Sequence, residues 1–227
     1  MREKAPIPAC LDWAYDTRIA AETGAVICGV DEAGRGPLCG SVVAGACVLP
    51  DFTALSEADR DLLGMLNDSK KLSEKKRELL YDVITRIAVA YGVGEASPAE
   101  IDEKNILNAS LLAMRRAVDM LMRVMPGVVL YLLIDGNKAG EFPFSSLAVV
   151  HGDALSPSIA AASILAKVTR DRRCIDWDRQ YPGFGIAIHK GYPTKAHREI
   201  VRERVQKGEE LPEIYRKSFL RFAHRNP

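Results

Sequence analysis

Apolar and β-branched residues are concentrated in five short segments of the chain, and this pattern predicts five strands. The segments are 25–31, 41–49, 87–95, 128–134 and 146–150. The first two are separated by too few residues for a crossover helix, so we expect them to pair antiparallel. The long connection before 128–134 allows parallel pairing further along the chain. The pattern therefore predicts a mixed sheet.

Residues with apolar positions at helical spacing lie between and after these strands and predict helices. Ser97, Pro98 and Glu100 form a capping box with proline at the first helical position, which marks the start of one of them. The predicted helices are 73–86, 97–125, 157–180, 194–206 and, at the C-terminal end, 211–222. This order of elements indicates an α/β fold in which helices pack on the sheet.

The composition is that of an ordinary globular protein, with 48% hydrophobic and 27% charged residues among 227. No apolar run is long enough to span a membrane, and the first residues lack the apolar region of a signal peptide, so we expect no membrane partner. The cysteines form no CxxC pair, and we expect buried, reduced thiols in a cytoplasmic protein. They are Cys10, Cys28, Cys39, Cys47 and Cys174.

The net charge of +1 does not by itself indicate a nucleic-acid partner, but the basic residues are clustered. The clusters are Lys70, Lys71, Lys75, Lys76 and Arg77; Arg170, Arg172 and Arg173; and His189, Lys190, Lys195, His197 and Arg198. Each cluster is compatible with phosphate binding and also with a solvated helix face.

Four carboxylates follow predicted buried strands, where a charge is costly unless it is paired or bound to a metal. Asp31 and Glu32 end the first strand, Asp135 ends the fourth, and Asp153 follows the fifth. Strand ends can converge at one edge of a sheet, and a hard cation such as Mg²⁺ or Mn²⁺ relieves the repulsion between carboxylates. Adjacent strand residues point to opposite faces, so Asp31 and Glu32 can share a site only if the strand ends or kinks there.

Other roles are open for some of these residues. Asp153 can cap the helix that follows it, and Asp135 can form a turn with Gly136 and Asn137. Asp31 and Glu32 have less structural use as an adjacent acidic pair. Gly34-Arg35-Gly36 can bring a backbone close to a ligand, or it can be a plain glycine-rich turn.

Five blocks of sequence together resemble the ribonuclease HII family. They are 29–38, 67–73, 134–137, 152–153 with 158–164, and 189–194 with His197. The blocks come in the family's order between about residues 25 and 218. Cys39 departs from the small residue that is usual at its position, and we expect the difference to affect packing.

The resemblance implies a ribonuclease H-like fold: a mixed five-stranded sheet with flanking helices and a helical C-terminal extension. It implies a catalytic domain over 25–218, preceded by an N-terminal helical extension over 1–24 and followed by a tail over 219–227.

The resemblance also assigns roles to residues. Metal ligands would be Asp31, Glu32, Asp135 and Asp153, the catalytic acids, with Asp171 as a less secure fifth ligand. Substrate contacts would come from Gly34, Arg35 and Gly36 at the ribose 2′-hydroxyl, from Tyr192 at the RNA-to-DNA junction, and from Ser69, Lys70 and Lys190 at phosphates.

The function expected from this resemblance is Mn²⁺- or Mg²⁺-dependent cleavage of the RNA strand of RNA–DNA hybrids and at single ribonucleotides in duplex DNA. The products would carry 5′-phosphate and 3′-hydroxyl ends, and a monomer is expected. Two alternatives differ in class: another metal-dependent nuclease on the same fold, and a non-catalytic nucleic-acid-binding module. An exposed Tyr192 ring would favour substrate contact, whereas a ring packed in the core would indicate a structural role.

Overall fold

A five-stranded sheet lies at the centre of the computed structural model, which describes residues 11–66 and 72–223. Its strands are β1 (Val26–Ala33), β2 (Val42–Val48), β3 (Ala90–Ala96), β4 (Leu130–Asp135) and β5 (Ser145–Val149). Their order is β3-β2-β1-β4-β5. β2 pairs antiparallel with β1 and β3, whereas β1–β4 and β4–β5 are parallel. The predicted mixed sheet and its antiparallel first pair are confirmed.

Helices cover both faces of the sheet. They are α1 (Trp13–Thr23), α2 (Glu57–Leu63), α3 (Glu74–Ile87), α4 (Pro98–Lys104), α5 (Ile106–Met122), α6 (Pro157–Gln180), α7 (Ile186–His189) and α8 (Lys195–Gln206). The alternation along β2 separates the two cores, because Ala44 and Ala46 face the cluster under α5 whereas Cys47 faces the cluster under α6.

Helix α6 rests directly on the backbone of the sheet. A Cβ added at Gly29 of β1 would lie 2.1 Å from the carbonyl carbon of Ser158, and one at Gly45 of β2 would lie 2.3 Å from the carbonyl oxygen of Ala162. Only glycine permits this approach at either position. The residues of α6 are therefore held at a fixed height above the C-terminal end of β1.

The predicted helix over 97–125 is two helices. Asn105 lies between α4 and α5 with φ at 67° and ψ at 163°, a backbone conformation that residues other than glycine rarely adopt. Its side-chain oxygen accepts from the amides of Leu107 and Asn108 and caps α5. The capping box at Ser97 is present as predicted.

The predicted C-terminal helix over 211–222 is wrong. Only Lys217–Phe219 forms a single 3-10 turn, and Tyr215 forms an antiparallel bridge with Cys39 instead. The apolar spacing in this segment is helical, but Pro212 lacks an amide hydrogen and the backbone at 214–216 bonds to residues 38–40. Tertiary pairing has overridden the local pattern.

The N-terminal helix packs on the sheet and not away from it. Tyr15, Ile19 and Ala20 of α1 contact a buried cluster that includes Ile27 and Leu133. A domain boundary at residue 25 stays a prediction.

The four cysteines in the described part of the chain, at positions 28, 39, 47 and 174, are buried and free, as expected. In the same residues no helix is long and apolar enough to cross a membrane.

Candidate active site

Three of the predicted acids meet at the C-terminal ends of β1 and β4. Val30 lies opposite Ile134 in the last parallel pair of these strands, so the next residues, Asp31 and Asp135, stand side by side. Asp31 is 6% exposed. Glu32 follows it in β1 and is half-buried. The convergence of strand ends that the sequence suggested is therefore present for these residues.

Asp153 lies next to this group. A 3-10 turn, Gly152–Ala154, follows β5, and the amide of Gly152 donates to Oδ1 of Asp135 at 2.7 Å. Asp153 is buried at 8% exposure. The carboxylate of Asp135 thus organises the turn that carries the fourth acid, which is a different turn from the local one with Gly136 and Asn137 that the sequence left open.

The strand does not break between the two adjacent acids. Asp31 pairs with Gly45 and Glu32 with Ala44, so β1 stays bound to β2 as far as Ala33. The break comes at Gly34, which has φ at 98°. On the β4 side, however, pairing ends at Val30. The acids therefore project from a strand that is held on one side only.

Burial and repulsion act together on Asp31. Burial raises the pKa of its carboxyl well above the usual range, and the charges of Glu32 and Asp135 raise it further. A hydrogen bond from Ser163 of α6 opposes this shift. A buried group with like charges beside it is the arrangement that a divalent cation would stabilise.

The donors fit a hard cation in chemical type, because all four acids offer oxygen. In residues 11–66 and 72–223, no three His, Cys, Asp or Glu side chains stand close enough together to hold a metal ion. Local donors engage the carboxylates instead: the amide of Glu32 bonds to Asp31 at 2.7 Å, and Arg35 bonds to Glu32 at 3.2 Å. To hold a cation, the carboxylates would have to turn from these donors toward one another.

Asp171 stands apart from the other acids. It lies two turns beyond Ser163 on α6, which corresponds to about 12 Å along a helix axis. Its carboxylate bonds to Lys167 at 2.6 Å and pairs with Arg77 at 3.6 Å. Both neighbours are cations that neutralise it, and a metal-binding role for Asp171 stays a prediction.

The glycine-rich loop and the predicted junction tyrosine are neighbours. A Cβ at Gly36 would lie 3.5 Å from Cε1 of Tyr192, whose side chain is 43% exposed. A Cβ at Gly34 would lie 2.1 Å from Nε of Arg170. Gly34 is thus required by packing and backbone conformation, whereas Gly36 leaves open the space in front of an exposed aromatic ring.

Of the residues predicted to contact phosphates, the structure describes only Lys190. Lys190 is mostly buried and lies 3.8 Å from Glu74 at the start of α3, between the tyrosine turn and that helix. Ser69 and Lys70, with the rest of the block at 67–71, lie outside the described residues.

One basic cluster is not a surface patch. Arg170 is 1% exposed and bonds to backbone carbonyls, whereas Arg172 and Arg173 are exposed and pair with Glu78 and Glu95. His197, counted in another cluster, is also fully buried. Sequence gave no sign of this burial, because arginine is among the residues least often found inside a protein.

The site also depends on residues to which the sequence assigned no supporting role, namely Ser163, Arg170, His197 and Arg216. In the sequence Ser163 stands only within a resembling block, Arg170 only in a basic cluster, and His197 in both a block and a cluster. No pattern marks Arg216.

Comparison with known proteins gives concordant results. The family model described as ribonuclease HII matches residues 28–222. A ribonuclease HII of Shewanella oneidensis is 48% identical over 209 residues, covering 90% of this chain and 92% of its own. The crystal structure of the ribonuclease H2 from Pyrococcus horikoshii OT3 superposes with a TM-score of 0.67 at 27% identity, over 87% of this chain and 96% of its own. Bst-RNase HIII in complex with Mn²⁺ shares the fold, with a TM-score of 0.69 at 17% identity over 98% of this chain and 75% of its own.

The sheet order, the flanking helices and the acids at the ends of β1 and β4 define an enzyme of the ribonuclease H-like class. Within that class, the chain belongs to the ribonuclease HII family.

Proposed function

We propose that this protein is a metal-dependent endonuclease that hydrolyses the RNA strand of RNA–DNA hybrids and cuts at single ribonucleotides embedded in duplex DNA, leaving 5′-phosphate and 3′-hydroxyl ends. The observation that carries the proposal is the burial of Asp31 beside Glu32 and Asp135. The exposed residues Gly36 and Tyr192 lie at the same end of β1 as the acids. One substrate could therefore contact the cleavage site and the surface that recognises ribose.

The four acids Asp31, Glu32, Asp135 and Asp153 would hold the cations. Two bound divalent ions would supply an activated water and stabilise the departing oxygen. The oxygen-only donors suit Mg²⁺ or Mn²⁺, and Mn²⁺ is the ion named for Bst-RNase HIII. Ser163 orients Asp31, and the Gly152 amide orients Asp135, before any substrate arrives.

Recognition of RNA requires contact with the 2′-hydroxyl, since that group distinguishes RNA from DNA. Gly34, Arg35 and Gly36 would supply backbone groups to it, and the exposed ring of Tyr192 would stack on the sugar beside the cut. Phosphates would be held by Ser69, Lys70 and Lys190. Asp171 would add a fifth ligand if its carboxylate exchanged Lys167 and Arg77 for the cation.

We also propose that the protein acts as a monomer in the cytoplasm. The four buried free thiols favour a reducing compartment, because disulfides do not persist there.

Three labelled duplexes test the function: an RNA–DNA hybrid, a DNA duplex with one ribonucleotide, and an all-DNA duplex of the same sequence. Each is incubated with Mg²⁺, Mn²⁺ or a chelator, and the product ends are analysed. We expect cleavage of the first two only, dependent on a cation. Equal cutting of the all-DNA duplex would indicate a DNA nuclease, and binding without cutting in either ion would indicate a non-catalytic module.

A further inference from the structure

The segment 214–216, near the C-terminal end of the described chain, lies against the glycine-rich loop. Tyr215 bridges to Cys39, the amide of Gly40 donates to Ile214 at 2.8 Å, and the amide of Arg216 donates to Leu38 at 2.9 Å. The amide of Leu38 in turn donates to the carbonyl of Gly191, next to Tyr192. One short strand segment therefore joins the loop to the tyrosine turn.

Arg216 supports the loop from beneath. Its guanidinium is fully buried and donates to the carbonyls of Gly34 at 2.7 Å, Arg35 at 3.0 Å, Pro37 at 2.8 Å and Gly40 at 2.9 Å. Burial and the nearby charge of Arg170 lower its pKa to about 9. Because this buried cation donates to four backbone carbonyls, it fixes the conformation of the loop.

The carbonyl directions also fix the amide directions. In a planar trans peptide the carbonyl and the following N–H point to opposite sides. Because the carbonyls of Gly34 and Arg35 point at Arg216, the amides of Arg35 and Gly36 point away from it, and both residues are exposed. Within the described part of the chain neither amide has an acceptor. Arg216 thus presents two unused donors to the solvent.

Tyr215 supports the tyrosine turn through a histidine. Its hydroxyl lies 2.8 Å from Nε2 of His197, and Nδ1 of His197 lies 2.9 Å from the carbonyl of Tyr192. Burial lowers the pKa of His197 to about 4, so its ring is neutral at physiological pH. The Tyr192 carbonyl can only accept, so Nδ1 carries the proton and Nε2 accepts from Tyr215.

Arg170 ties the two supports together. It donates to the carbonyl of Lys190 at 2.9 Å and to that of Cys39 at 3.2 Å, so it spans the turn and the loop. Among residues 11–66 and 72–223, neither Arg170 nor Arg216 forms an ion pair with a carboxylate. Two buried positive charges therefore lie beneath the surface that exposes the Arg35 and Gly36 amides, which favours an anionic, phosphate-bearing ligand there.

We propose that Tyr215 and Arg216 are positioning residues for ribose recognition. Arg216 orients the amides of the glycine-rich loop, and Tyr215 positions the backbone of Tyr192. Because the two residues are adjacent in one segment, they also fix the distance between the loop amides and Tyr192. The inference rests on the proposed function, and these two residues would give the site its preference for ribose over deoxyribose. Neither residue touches the substrate.

The test measures discrimination rather than activity alone. Affinity is measured with Ca²⁺ in place of the catalytic ion, for a DNA duplex with one ribonucleotide and for the matched all-DNA duplex, and kcat and KM are measured separately on the first duplex. The variants are Arg216→Met, Arg216→Lys and Tyr215→Phe. The control is Val118→Ala, which removes buried apolar volume under α5 on the opposite face of the sheet. The free energy of unfolding is measured for all four.

We expect Arg216→Met to lower the ratio of the two affinities about tenfold, the order expected when charged hydrogen bonds are lost. Arg216→Lys, which keeps the charge but not the planar fork, should fall between this variant and the wild type. Tyr215→Phe keeps the packing of the ring and should lower the ratio of the two affinities severalfold. In the cleavage assay, its effect should fall on KM rather than on kcat. Val118→Ala should leave the ratio unchanged at a comparable loss of stability.

An unchanged ratio in the folded Arg216 variants and in Tyr215→Phe would overturn the proposal, as would an equal fall in Val118→Ala. If Arg216→Met does not fold, Arg216→Lys and Tyr215→Phe decide the matter. A wild-type protein that cuts no duplex would refute the proposed function itself, whereas a wild type that discriminates and variants that discriminate equally well would refute only the positioning role.

Discussion

A carboxylic acid in the position of Asp31 destabilises the folded chain when no cation is bound. Its carboxyl is buried, and Glu32 and Asp135 lie beside it. Because its pKa is raised in the folded state above the ordinary 3.8, the folded protein binds more protons than the unfolded one between these two values. The free energy of unfolding contributed by this group therefore falls as pH rises through that interval.

We predict that Asp31→Asn and Asp135→Asn abolish cleavage while the protein stays folded. Asp31→Asn should also raise the free energy of unfolding at neutral pH in chelator, because a buried like charge is removed. Its stability should lack the decline with rising pH that the wild type shows. Denaturant unfolding across pH, together with the hybrid cleavage assay, measures both effects. Near-normal turnover by either folded variant would disprove the metal-site assignment.

The ring of Tyr192 is the second residue whose role a substitution can isolate. It is partly exposed and lies against Gly36. We predict that Tyr192→Ala reduces cleavage at a single embedded ribonucleotide far more than cleavage of a long hybrid, because stacking contributes roughly 1–3 kcal/mol in single-strand binders. Tyr192→Phe should keep most of the activity. Equal losses on both substrates, or a Phe variant as poor as the Ala variant, would rule out stacking at the junction.

At the level of elements, helix α6 connects the N-terminal helix to the acids. Asp16 of α1 accepts from the hydroxyl of Ser156 at 2.6 Å and from the amide of Ser158 at 3.0 Å, at the start of α6. Ser163 of the same helix bonds to Asp31. The segment predicted to be an extension outside the catalytic domain therefore caps the helix whose Ser163 bonds to Asp31, one of the proposed catalytic acids.

We predict that Asp16→Ala lowers the free energy of unfolding by about 1–2 kcal/mol, the usual cost of losing a helix cap and leaving an amide unpaired. Glu22→Ala, at an exposed position of the same helix, is the control and should change stability by less than about 0.5 kcal/mol. Urea unfolding of the two variants and the wild type gives the comparison. A loss in the control as large as that in Asp16→Ala would show that removal of a negative charge from α1, and not loss of the cap, is responsible.

The secondary-structure elements that were predicted correctly have a local sequence signal. The predictions failed mainly where tertiary contacts determine the backbone conformation. Apolar runs followed by acids located β1 and β4, because burial and the need for metal or partners are both readable from such a pattern. The break at Asn105 was missed although its capping bonds, to the amides of Leu107 and Asn108, are local. The extended segment 214–216 was missed because it depends on bonds to residues 38–40, which are distant in sequence. The burial of Arg170 and Arg216 was unpredictable for the same reason: their partners are carbonyls of a loop that is far away in sequence.

Across the whole molecule, a net charge of +1 conceals an uneven distribution. Arg170 and Arg216 are buried beneath the glycine-rich loop, whereas several exposed arginines are neutralised by partners such as Glu78, Glu95 and Glu100. Lys195 and Arg198 are exposed on α8, which begins just after the Tyr192 turn. The surface around the proposed site can thus be positive while the protein as a whole is nearly neutral.

We predict that affinity for a hybrid duplex falls steeply with salt despite this neutrality, because cations clustered at the site displace counterions from phosphate. Lys70→Ala should weaken binding about equally for different sequences and reduce the slope of log affinity against log salt by roughly one. Arg123→Ala is the matched control, since Arg123 is exposed at the end of α5, where the chain leads into the start of β4, the end of the sheet opposite the acids. Binding is measured between about 50 and 200 mM salt, the range over which phosphate contacts dominate the change. A flat wild-type slope, or an Arg123→Ala slope that changes as much as that of Lys70→Ala, would mean that the basic clusters are solvated faces and that net charge, not local charge, governs association.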